Sequence, residues 1–466
     1  MTFRTFLLIL ALSIAACEGN SAAEHAAPAP AADAARFVSF VWSGAVTPGS
    51  ATVKARLLEE GARARLVVSS REDLSEPLYT EYHAAAASRG NMVAFTVKNL
   101  KPDTVYHYAV EVNGRVDKDR QGRFRTFADG PASFRIALGS CAETGSNHPV
   151  FDTIREREPL FFLHMGDFHY EDLHADRQSA YRGAFDRVFA SPRQSLLYRS
   201  VPVVYMWDDH DFGGNNSDST NPGRKAVRLT YQEYVPHYPL PAGQGDVPPY
   251  QAFTVGRVRF VVTDLRSERS SPDLLDDSAK TMMGAKQKDW FENEVRTAQE
   301  AGQLIVWMST PPWIETPGRG SDRWGGYATE RREIADFLRQ NHIDRMVMLA
   351  GDAHMVALDD GSHTGYATGG GPGFPVLHAA ALDRPGSIKG GPYSGGTFPN
   401  RSRKGDGQFG ILEVQDDGGA KICVDLSGWR YEGDTGGVSQ LVELKRCFPV
   451  PPLQAGTPPT SGAPPS

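Results

Sequence analysis

The spacing of hydrophobic positions in the first part of the chain is that of short β-strands. Between residues 37 and 127, stretches rich in β-branched and aromatic residues follow one another closely, and residues 51–57 alternate strictly between apolar and polar positions. A two-residue period is typical of half-buried strands, and this region shows no helical period. The pattern therefore predicts an all-β sandwich of about 90 residues at positions 37–128.

A different pattern begins after residue 129, where apolar runs alternate with stretches of helical period. Such alternation is typical of α/β proteins, in which a sheet is packed between helices. It predicts an α/β domain at positions 129–449. The predicted strands are 134–138, 160–165, 201–206, 257–262, 304–308, 345–350, 411–414, 421–426 and 438–444, and the predicted helices include 286–300 and 329–341.

Both ends of the chain have compositions that differ from those of folded domains. Residues 1–17 carry one positive charge, then a mostly apolar stretch that ends in Cys17, a pattern typical of a secretory signal. The last four of these residues, IAAC, resemble a bacterial lipobox, in which the cysteine is lipidated; a plain signal peptide with an incidental cysteine is the alternative. Residues 18–36 are predicted to be a flexible linker and residues 450–466 a disordered tail.

The predicted signal sets the compartment in which the later cysteines fold. Cys17 is followed by Glu18 and not by Asp, which, by resemblance to Gram-negative lipoproteins, favours the outer membrane. We therefore expect an exported protein that is lipid-anchored to the outer membrane or periplasmic. In that oxidising compartment Cys423 and Cys447, in or just after the last two predicted strands, either pair as a disulfide or remain buried thiols.

Composition excludes several classes of protein. Of the 466 residues, 40% are hydrophobic and 23% are charged, which is typical of globular proteins and not of disordered ones. A formal net charge of −7 argues against generic nucleic-acid binding, which needs a basic face. The only long apolar run lies at the N-terminus, so the sequence is not that of a polytopic membrane protein.

Polar residues with metal-binding chemistry follow the predicted strands of the α/β domain, where open α/β sheets build their sites. Carboxylates, amides and imidazoles in this position suit hard metal ions, and a carboxylate such as that of Asp167 can bridge two of them. Thiolate and phenolate ligands, from Cys141 and Tyr170, indicate a trivalent ion such as Fe(III). The other candidate ligands are Asp209, Asn215, Asn216, Asp352 and His354.

The motifs that contain these residues resemble those of the PhoD-like alkaline phosphatases, within the calcineurin-like metallophosphoesterase superfamily. In chain order they are GSC at 139–141, MGDFHYED at 165–172, WDDHD at 207–211 with Asn215 and Asn216, TDLR at 263–266, DRWGGY at 322–327 and GDAH at 351–354. Each motif alone is weak, whereas the ordered set is specific. The resemblance spans roughly residues 37–447 and implies an αββα sandwich preceded by an Ig-like or fibronectin-like β-sandwich.

The resemblance also implies a site that holds Fe(III) and Ca(II). Carried over by motif, Cys141, Asp167 and Tyr170 are similar to iron ligands, joined by Asp352 or His354. On the calcium side the implied ligands are Asp167, Asp209 and Asn216, with Asn215 left open as an alternative to Asn216.

Three further residues are candidates for catalysis. His210 directly follows Asp209 and is expected to protonate the leaving oxygen after attack by a metal-activated hydroxide. Arg266 either forms a bidentate contact with the phosphoryl oxygens or forms a structural pair with Asp264. His169, where relatives often carry an apolar residue or arginine, either contacts phosphate or faces outward.

The expected function is hydrolysis of small phosphate monoesters, diesters or both, by a monomer that meets the membrane only through its lipid anchor. A phospholipase-like or phosphotriesterase activity on the same metals is the first alternative. The alternative outside enzymology is a non-catalytic binding lipoprotein of the cell surface. This last hypothesis predicts a missing ligand, and none is obviously missing from the sequence.

Overall fold

The computed structural model describes residues 36–451. Cys17, the predicted signal, nearly all of the linker and most of the predicted tail lie outside the described residues. No helix within 36–451 is both long and apolar enough to cross a membrane.

The N-terminal part is all β, as predicted. Three strands form one sheet in the order β1-β2-β6, and a second sheet has the order β4-β3-β7-β8, with β5 also paired to β3. Every strand pair here is antiparallel. The strands are β1 (Val38–Gly44), β2 (Ser50–Leu57), β3 (Arg63–Ser69), β4 (Leu78–Tyr79), β5 (His83–Ala84), β6 (Met92–Lys98), β7 (Val105–Val112) and β8 (Arg115–Arg125).

The remainder of the chain is α/β, with strands and helices in alternation. The strands are β9 (Phe134–Gly139), β10 (Phe162–Met165), β11 (Val203–Met206), β12 (Gln251–Val255), β13 (Val258–Val262), β14 (Leu304–Met308), β15 (Met346–Ala350), β16 (Met355–Asp359), β17 (Val376–Ala379), β18 (Thr397–Pro399), β19 (Gly407–Gln415), β20 (Lys421–Glu432) and β21 (Gly437–Pro449). The helices are α1 (Val150–Glu156), α2 (Gln178–Phe189), α3 (Pro192–Ser200), α4 (Asp209–Phe212), α5 (Arg224–Tyr234), α6 (Ala285–Glu300) and α7 (Ala328–Gln340).

These strands form two sheets, and not the single sheet that the alternation of strands and helices indicates. One sheet has the order β11-β10-β9-β19-β20-β21 and the other β12-β13-β14-β15-β17-β16-β18. Alternation shows that strands are buried on both faces but not which strands pair, so the division into two sheets is set by packing. The result is the αββα architecture that the family resemblance implies.

Strand β14 shows how one strand is buried from both sides. Leu304, Val306 and Met308 belong to the hydrophobic core between the two sheets. Ile305 and Trp307 point the other way, into a second core that contains residues of α6 and α7. Because successive side chains of a strand point to opposite faces, an unbroken apolar run is required where both faces are covered.

The parallel strands of both sheets bring their carboxyl ends together. Strands β9, β10 and β11 are parallel in the first sheet, and β13, β14 and β15 are parallel in the second. Polar residues that follow these strands therefore collect at one edge of the sandwich, as in other open α/β sheets.

The first strand of the β-sandwich packs into the α/β part. Trp42 on β1 is fully buried, and its indole Nε1 donates a hydrogen bond to the carbonyl of Tyr234 at 3.0 Å. The indole stacks on Phe168, with ring centroids 6.0 Å apart, and meets Phe189 edge-on at 5.0 Å. Phe168 is the residue after Asp167, so the sandwich directly supports a turn that carries a candidate ligand.

The C-terminal hairpin is cross-linked. Cys423 on β20 and Cys447 on β21 are paired in register and joined by a disulfide. Of the two alternatives for these cysteines, the structure therefore contains the pairing. Cys141 is a free, buried cysteine.

Candidate metal centre

Several candidate ligands sit in an uncommon backbone conformation directly after strands. The φ angles of Cys141, Asp167, Asp352 and His354 are 62°, 52°, 54° and 51°. Non-glycine residues rarely adopt left-handed φ, and where they do the surrounding structure fixes them, often at functional sites. These sharp turns end β9, β10 and β15 and begin the loops at the shared sheet edge.

The first group of side chains combines sulfur, oxygen and nitrogen donors. Ligand atoms of Cys141, Asp167 and His354 all lie within 4.8 Å of one another. The Tyr170 hydroxyl donates to Asp167 Oδ2 at 2.7 Å and lies 3.1 Å from His354 Nε2. Burial, with the charge of Asp167, raises the pKa of the Cys141 thiol well above its ordinary value. A cation in this position would favour the thiolate and offset that effect.

The second group shares Asp167 with the first. Its members are Asp167, Asp209 and His210, again with ligand atoms within 4.8 Å. Burial and the neighbouring Asp209 raise the pKa of Asp167 to about 8. Burial alone would raise the pKa of Asp209 as well, but Arg266 and His210 hold it below its ordinary value. Asp167 belongs to both groups, and its predicted role as a bridge between two metal ions, which its two oxygens allow, stays a prediction.

The third group consists of carboxylates alone. Ligand atoms of Asp208, Asp209 and Asp352 lie within 4.8 Å of one another, and all three residues are buried. Among the described residues, Asp208 Oδ2 and Asp352 Oδ2 have no hydrogen-bond partner. Buried carboxylates with unpartnered oxygens are unfavourable unless a cation is bound. The donor sets of the three groups therefore fit a metal centre, with Asp167 and Asp209 each shared by two groups.

His210 is oriented by a residue that the sequence analysis did not single out. Its Nδ1 lies 2.6 Å from Asp172 Oδ1, and its ring lies 4.2 Å from that of Tyr170. An ionised carboxylate only accepts hydrogen bonds, so Nδ1 carries the proton and Nε2 is left for the site. Burial alone would lower the pKa of His210, but Asp167, Asp209 and Asp172 together raise it.

Arg266 lies among the carboxylates, but its partner is not the one expected. Its guanidinium is fully buried and bonds to Asp208 through Nε, with Nη1 3.9 Å from Asp209 and 3.6 Å from Asp322. Only the backbone N–H of Arg266 donates to Asp264, at 3.0 Å. The alternative of an Asp264–Arg266 pair therefore holds only for the backbone N–H of Arg266 and not for its guanidinium, which pairs with Asp208 instead. A phosphoryl contact by Arg266 stays a prediction.

His169 does not face outward. Its side chain is 1% exposed and packs edge-on against Phe185, with ring centroids 6.2 Å apart. Burial lowers its pKa to about 3, so the imidazole is neutral. The outward alternative is wrong because the turn after Asp167 folds this side chain against α2, and contact with phosphate stays a prediction.

The two asparagines after α4 are both exposed. The backbone N–H of Asn216 donates to Asp209 Oδ2 at 2.7 Å, and the Asn216 carbonyl accepts from Arg269 at 2.6 Å. These contacts hold the backbone of Asn216 against a candidate ligand. The choice between the side chains of Asn215 and Asn216 as ligands stays a prediction.

Two basic residues of the loop between β17 and β18 also reach the site. Lys389 Nζ lies 2.7 Å from Asp352 Oδ1, and the Arg384 guanidinium lies 4.0 Å from the centre of the Tyr170 ring. Sequence reasoning does not find either residue, because this Gly- and Pro-rich loop carries no motif. Its only sequence signal is the placement of two cations between glycines and prolines in a segment that follows the GDAH turn.

Comparison with known proteins agrees with this geometry. The family model described as PhoD-like phosphatase matches residues 136–374, and the one for the PhoD-like phosphatase N-terminal domain matches residues 21–128. Alkaline phosphatase D of Bacillus subtilis (strain 168) is 23% identical over 320 residues, which cover 58% of this chain. The chain spans about half the length of that curated relative, at 54%.

The fold is likewise that of a solved structure. The structure of PhoD is 17% identical and superposes with a TM-score of 0.69, covering 89% of this chain and 94% of the other. Identity at this level supports the shared fold, while the family follows from the model that spans the strand-end motifs. The chain belongs to the PhoD-like phosphatase family.

Proposed function

We propose that this protein is a metal-dependent phosphoesterase that hydrolyses phosphate monoesters, diesters or both. The observation that carries the proposal is that three groups of possible metal ligands adjoin one another. The first and second groups share Asp167, and the second and third share Asp209. Family membership supports the same reaction class. Fe(III) at the Cys141 group and Ca(II) at the carboxylate groups are the proposed metals on the basis of the family resemblance, and the ligand chemistry is compatible with both.

Metal ions bound here would neutralise the phosphoryl oxygens and supply an activated water. His210 then has a defined task in the proposed reaction. In this reaction the water oxygen would form a bond to phosphorus and lose a proton while the ester P–O bond breaks. His210, protonated on both nitrogens, would give its Nε2 proton to the leaving oxygen, and the proton lost by the water would restore it. Asp172 keeps Nδ1 protonated and holds the ring in this orientation. The products are an alcohol and phosphate, or an alcohol and a monoester when the substrate is a diester.

The test uses purified full-length protein loaded with Fe(III) and Ca(II). Aryl phosphate monoesters, diesters and triesters are assayed side by side, and bound metal is measured by elemental analysis. We expect hydrolysis of a monoester or a diester together with bound metal, and loss of both in Asp167→Asn. As a matched control, Asp119→Asn removes an exposed carboxylate of β8 and should change neither.

The alternatives give different results in the same assay. Triester turnover that exceeds monoester and diester turnover would favour the phosphotriesterase alternative, and hydrolysis confined to phospholipid vesicles would favour a phospholipase. Bound metal with no turnover of any ester would contradict the proposal and favour a non-catalytic binding lipoprotein.

We also propose that the protein is exported and anchored through a lipid on Cys17. The signal-like sequence of residues 1–17 supports this proposal, and so does the disulfide between Cys423 and Cys447, since disulfides persist in oxidising compartments. Expression of the full chain should place it in the outer-membrane fraction, and Cys17→Ala should release it. Equal fractionation of both forms would contradict the anchor.

A further inference from the structure

The loop between β17 and β18 places a lysine in contact with one of the metal-binding groups. Lys389 Nζ lies 2.7 Å from Asp352 Oδ1, and the lysine side chain is 27% exposed whereas that of Asp352 is 2% exposed. The lysine side chain is therefore partly accessible to solvent, whereas the carboxylate with which it pairs is not.

The backbone that carries Lys389 is held in place. The Tyr393 hydroxyl donates to the Lys389 carbonyl at 3.1 Å and lies 3.2 Å from Nε2 of the buried His378. The N–H of Gly391 donates to the carbonyl of Ile314 at 2.8 Å. These hydrogen bonds attach the backbone of the lysine and of the residues that follow it to neighbouring segments. The position of Lys389 is therefore fixed by tertiary contacts.

The charge of Lys389 is compensated differently from that of its neighbour on the same loop. Arg384 forms an ion pair with Glu143, which belongs to none of the three metal-binding groups. Lys389 instead pairs with Asp352, which does belong to one of them. A metal ion on Asp352 would share that negative charge, and the ammonium group has three N–H donors, so it retains donors for a second anion.

We infer that Lys389 binds a terminal oxygen of the substrate phosphoryl group and makes the enzyme favour phosphate monoesters over diesters. The inference rests on the proposed hydrolysis and names its substrate class. A monoester carries up to two negative charges on three terminal oxygens, whereas a diester carries one charge on two. An additional cation beside the metal groups therefore stabilises a bound monoester more than a bound diester.

The experiment compares Lys389→Met and Lys389→Arg with the wild type, all loaded with metal. Because a charge-assisted hydrogen bond is lost, kcat/KM for an aryl monoester should fall by roughly 10- to 100-fold in Lys389→Met. For the matched diester the fall should be about threefold or less, and Lys389→Arg should keep most monoester activity because the positive charge is retained. Inorganic phosphate, measured by calorimetric titration, should bind roughly 10- to 100-fold more weakly to Lys389→Met.

Controls separate a phosphate contact from a structural role. Lys404→Met removes an exposed lysine outside the site and should change no measurement. Metal content should be the same in wild type and in Lys389→Met. Equal losses for both esters, unchanged phosphate affinity, or loss of metal from Lys389→Met would overturn the inference.

Failure of the proposed hydrolysis gives a separate result. If the wild type cleaves neither ester, the proposed function is wrong, but the phosphate titration still decides whether Lys389 binds a phosphoryl group. If the wild type cleaves esters and the ratio of monoester to diester rates is unchanged in Lys389→Met, only the inference about Lys389 is wrong.

Discussion

At the scale of single residues, Asp172 is the clearest positioning residue outside the metal-binding groups. It touches His210 Nδ1 at 2.6 Å and is not itself in any of the three groups. Asp172→Asn should lower kcat roughly 10- to 100-fold, because an uncharged amide no longer stabilises the imidazolium that donates its proton from Nε2. The measurement is steady-state kinetics with a series of monoesters that differ in leaving-group pKa.

The series shows whether Asp172 acts through proton transfer to the leaving oxygen or only supports the structure of the site. Alkyl phosphates, which need protonation of the leaving oxygen, should lose most, and p-nitrophenyl phosphate should lose least. Asp176→Asn, an exposed carboxylate of the same segment, is the control and should match the wild type. A uniform loss across all leaving groups would contradict a role through His210.

Gly166 shows how closely the two strand ends approach each other. Its φ is +86°, and a Cβ at this position would lie 2.4 Å from Asp208 Cβ and 2.6 Å from Asp208 N. Gly166→Ala should lower the free energy of unfolding by roughly 3 kcal/mol, because steric overlap adds to the left-handed strain. Chemical denaturation measures the change, and metal binding should weaken in parallel.

Gly61 provides the matched control for that substitution. It also has a positive φ, +74°, but a Cβ added at this position would have no neighbouring atom within 4 Å among the described residues. Gly61→Ala should therefore lower the free energy of unfolding by about 1 kcal/mol, the strain of the left-handed backbone alone. Equal effects at the two positions would show that the approach of Asp208 is unimportant.

Which site residues sequence can identify depends on whether they lie at strand ends. Cys141, Asp167 and Asp352 follow apolar runs, so their convergence can be expected from the rule for parallel sheets. Asp172 and Lys389 reach the site from loops whose paths are set by tertiary contacts. Asp172 ends the MGDFHYED motif but no expected role is attached to it there, and Lys389 lies in no motif, so only the structure shows which side chains they contact.

At the scale of elements, the disulfide between β20 and β21 is a feature that stability measurements can isolate. It links residues 24 positions apart. Removing it with the double substitution Cys423→Ala and Cys447→Ala should lower the free energy of unfolding by about 3 kcal/mol, largely because the unfolded chain gains freedom. Thermal unfolding with and without a reductant provides the measurement.

The effect of the disulfide should be confined to stability. Strand β21 is the outer strand of its sheet, and neither cysteine belongs to a metal-binding group. Metal content and ester hydrolysis at 25 °C should therefore match those of the wild type. An unchanged melting temperature in reductant for the wild type would contradict the prediction.

Elements with strong periodicity are predictable from sequence, and weakly patterned ones are not. The strand predicted at residues 304–308 forms β14 with the same bounds, because both faces of that strand are buried and its sequence is wholly apolar. In contrast β8 (Arg115–Arg125) lacks the apolar pattern that marks a strand in a sequence, because it is rich in charged residues and most of them are not buried. Its strand conformation is set by pairing with β7.

At the scale of the whole molecule, buried neutral histidines make folding depend on pH. His164 is fully buried, lacks a hydrogen-bond partner among the described residues, and stacks edge-on with Phe168 and Tyr205. Burial lowers its pKa from 6.5 to about 3. In the unfolded chain His164 therefore binds a proton near pH 6.5, whereas in the folded chain it binds one only near pH 3. Stability from this group is present above pH 6.5 and is lost as the pH falls towards 3.

The size of this effect follows from one proton. In that window His164 should contribute a slope of about 1.4 kcal/mol per pH unit to the free energy of unfolding. His164→Phe should flatten the slope by that amount between pH 6 and pH 4, as measured by denaturation at each pH. His83→Phe, which removes an exposed histidine of β5, should leave the slope nearly unchanged. A slope that His164→Phe does not alter would contradict the prediction.

The burial of Trp42 against Phe168 has a consequence for engineering. The N-terminal sandwich of this protein is not an independent domain that can be exchanged freely. Its first strand contributes Trp42 to the aromatic core that packs against Phe168, the residue after Asp167. Chimaeras that exchange sandwiches between relatives will also need to exchange the aromatic residues that contact Trp42, including Phe189 of α2 and Tyr198 of α3. A truncation that removes Trp42, or a tag fused directly after it, will therefore disturb the candidate metal centre as well as solubility.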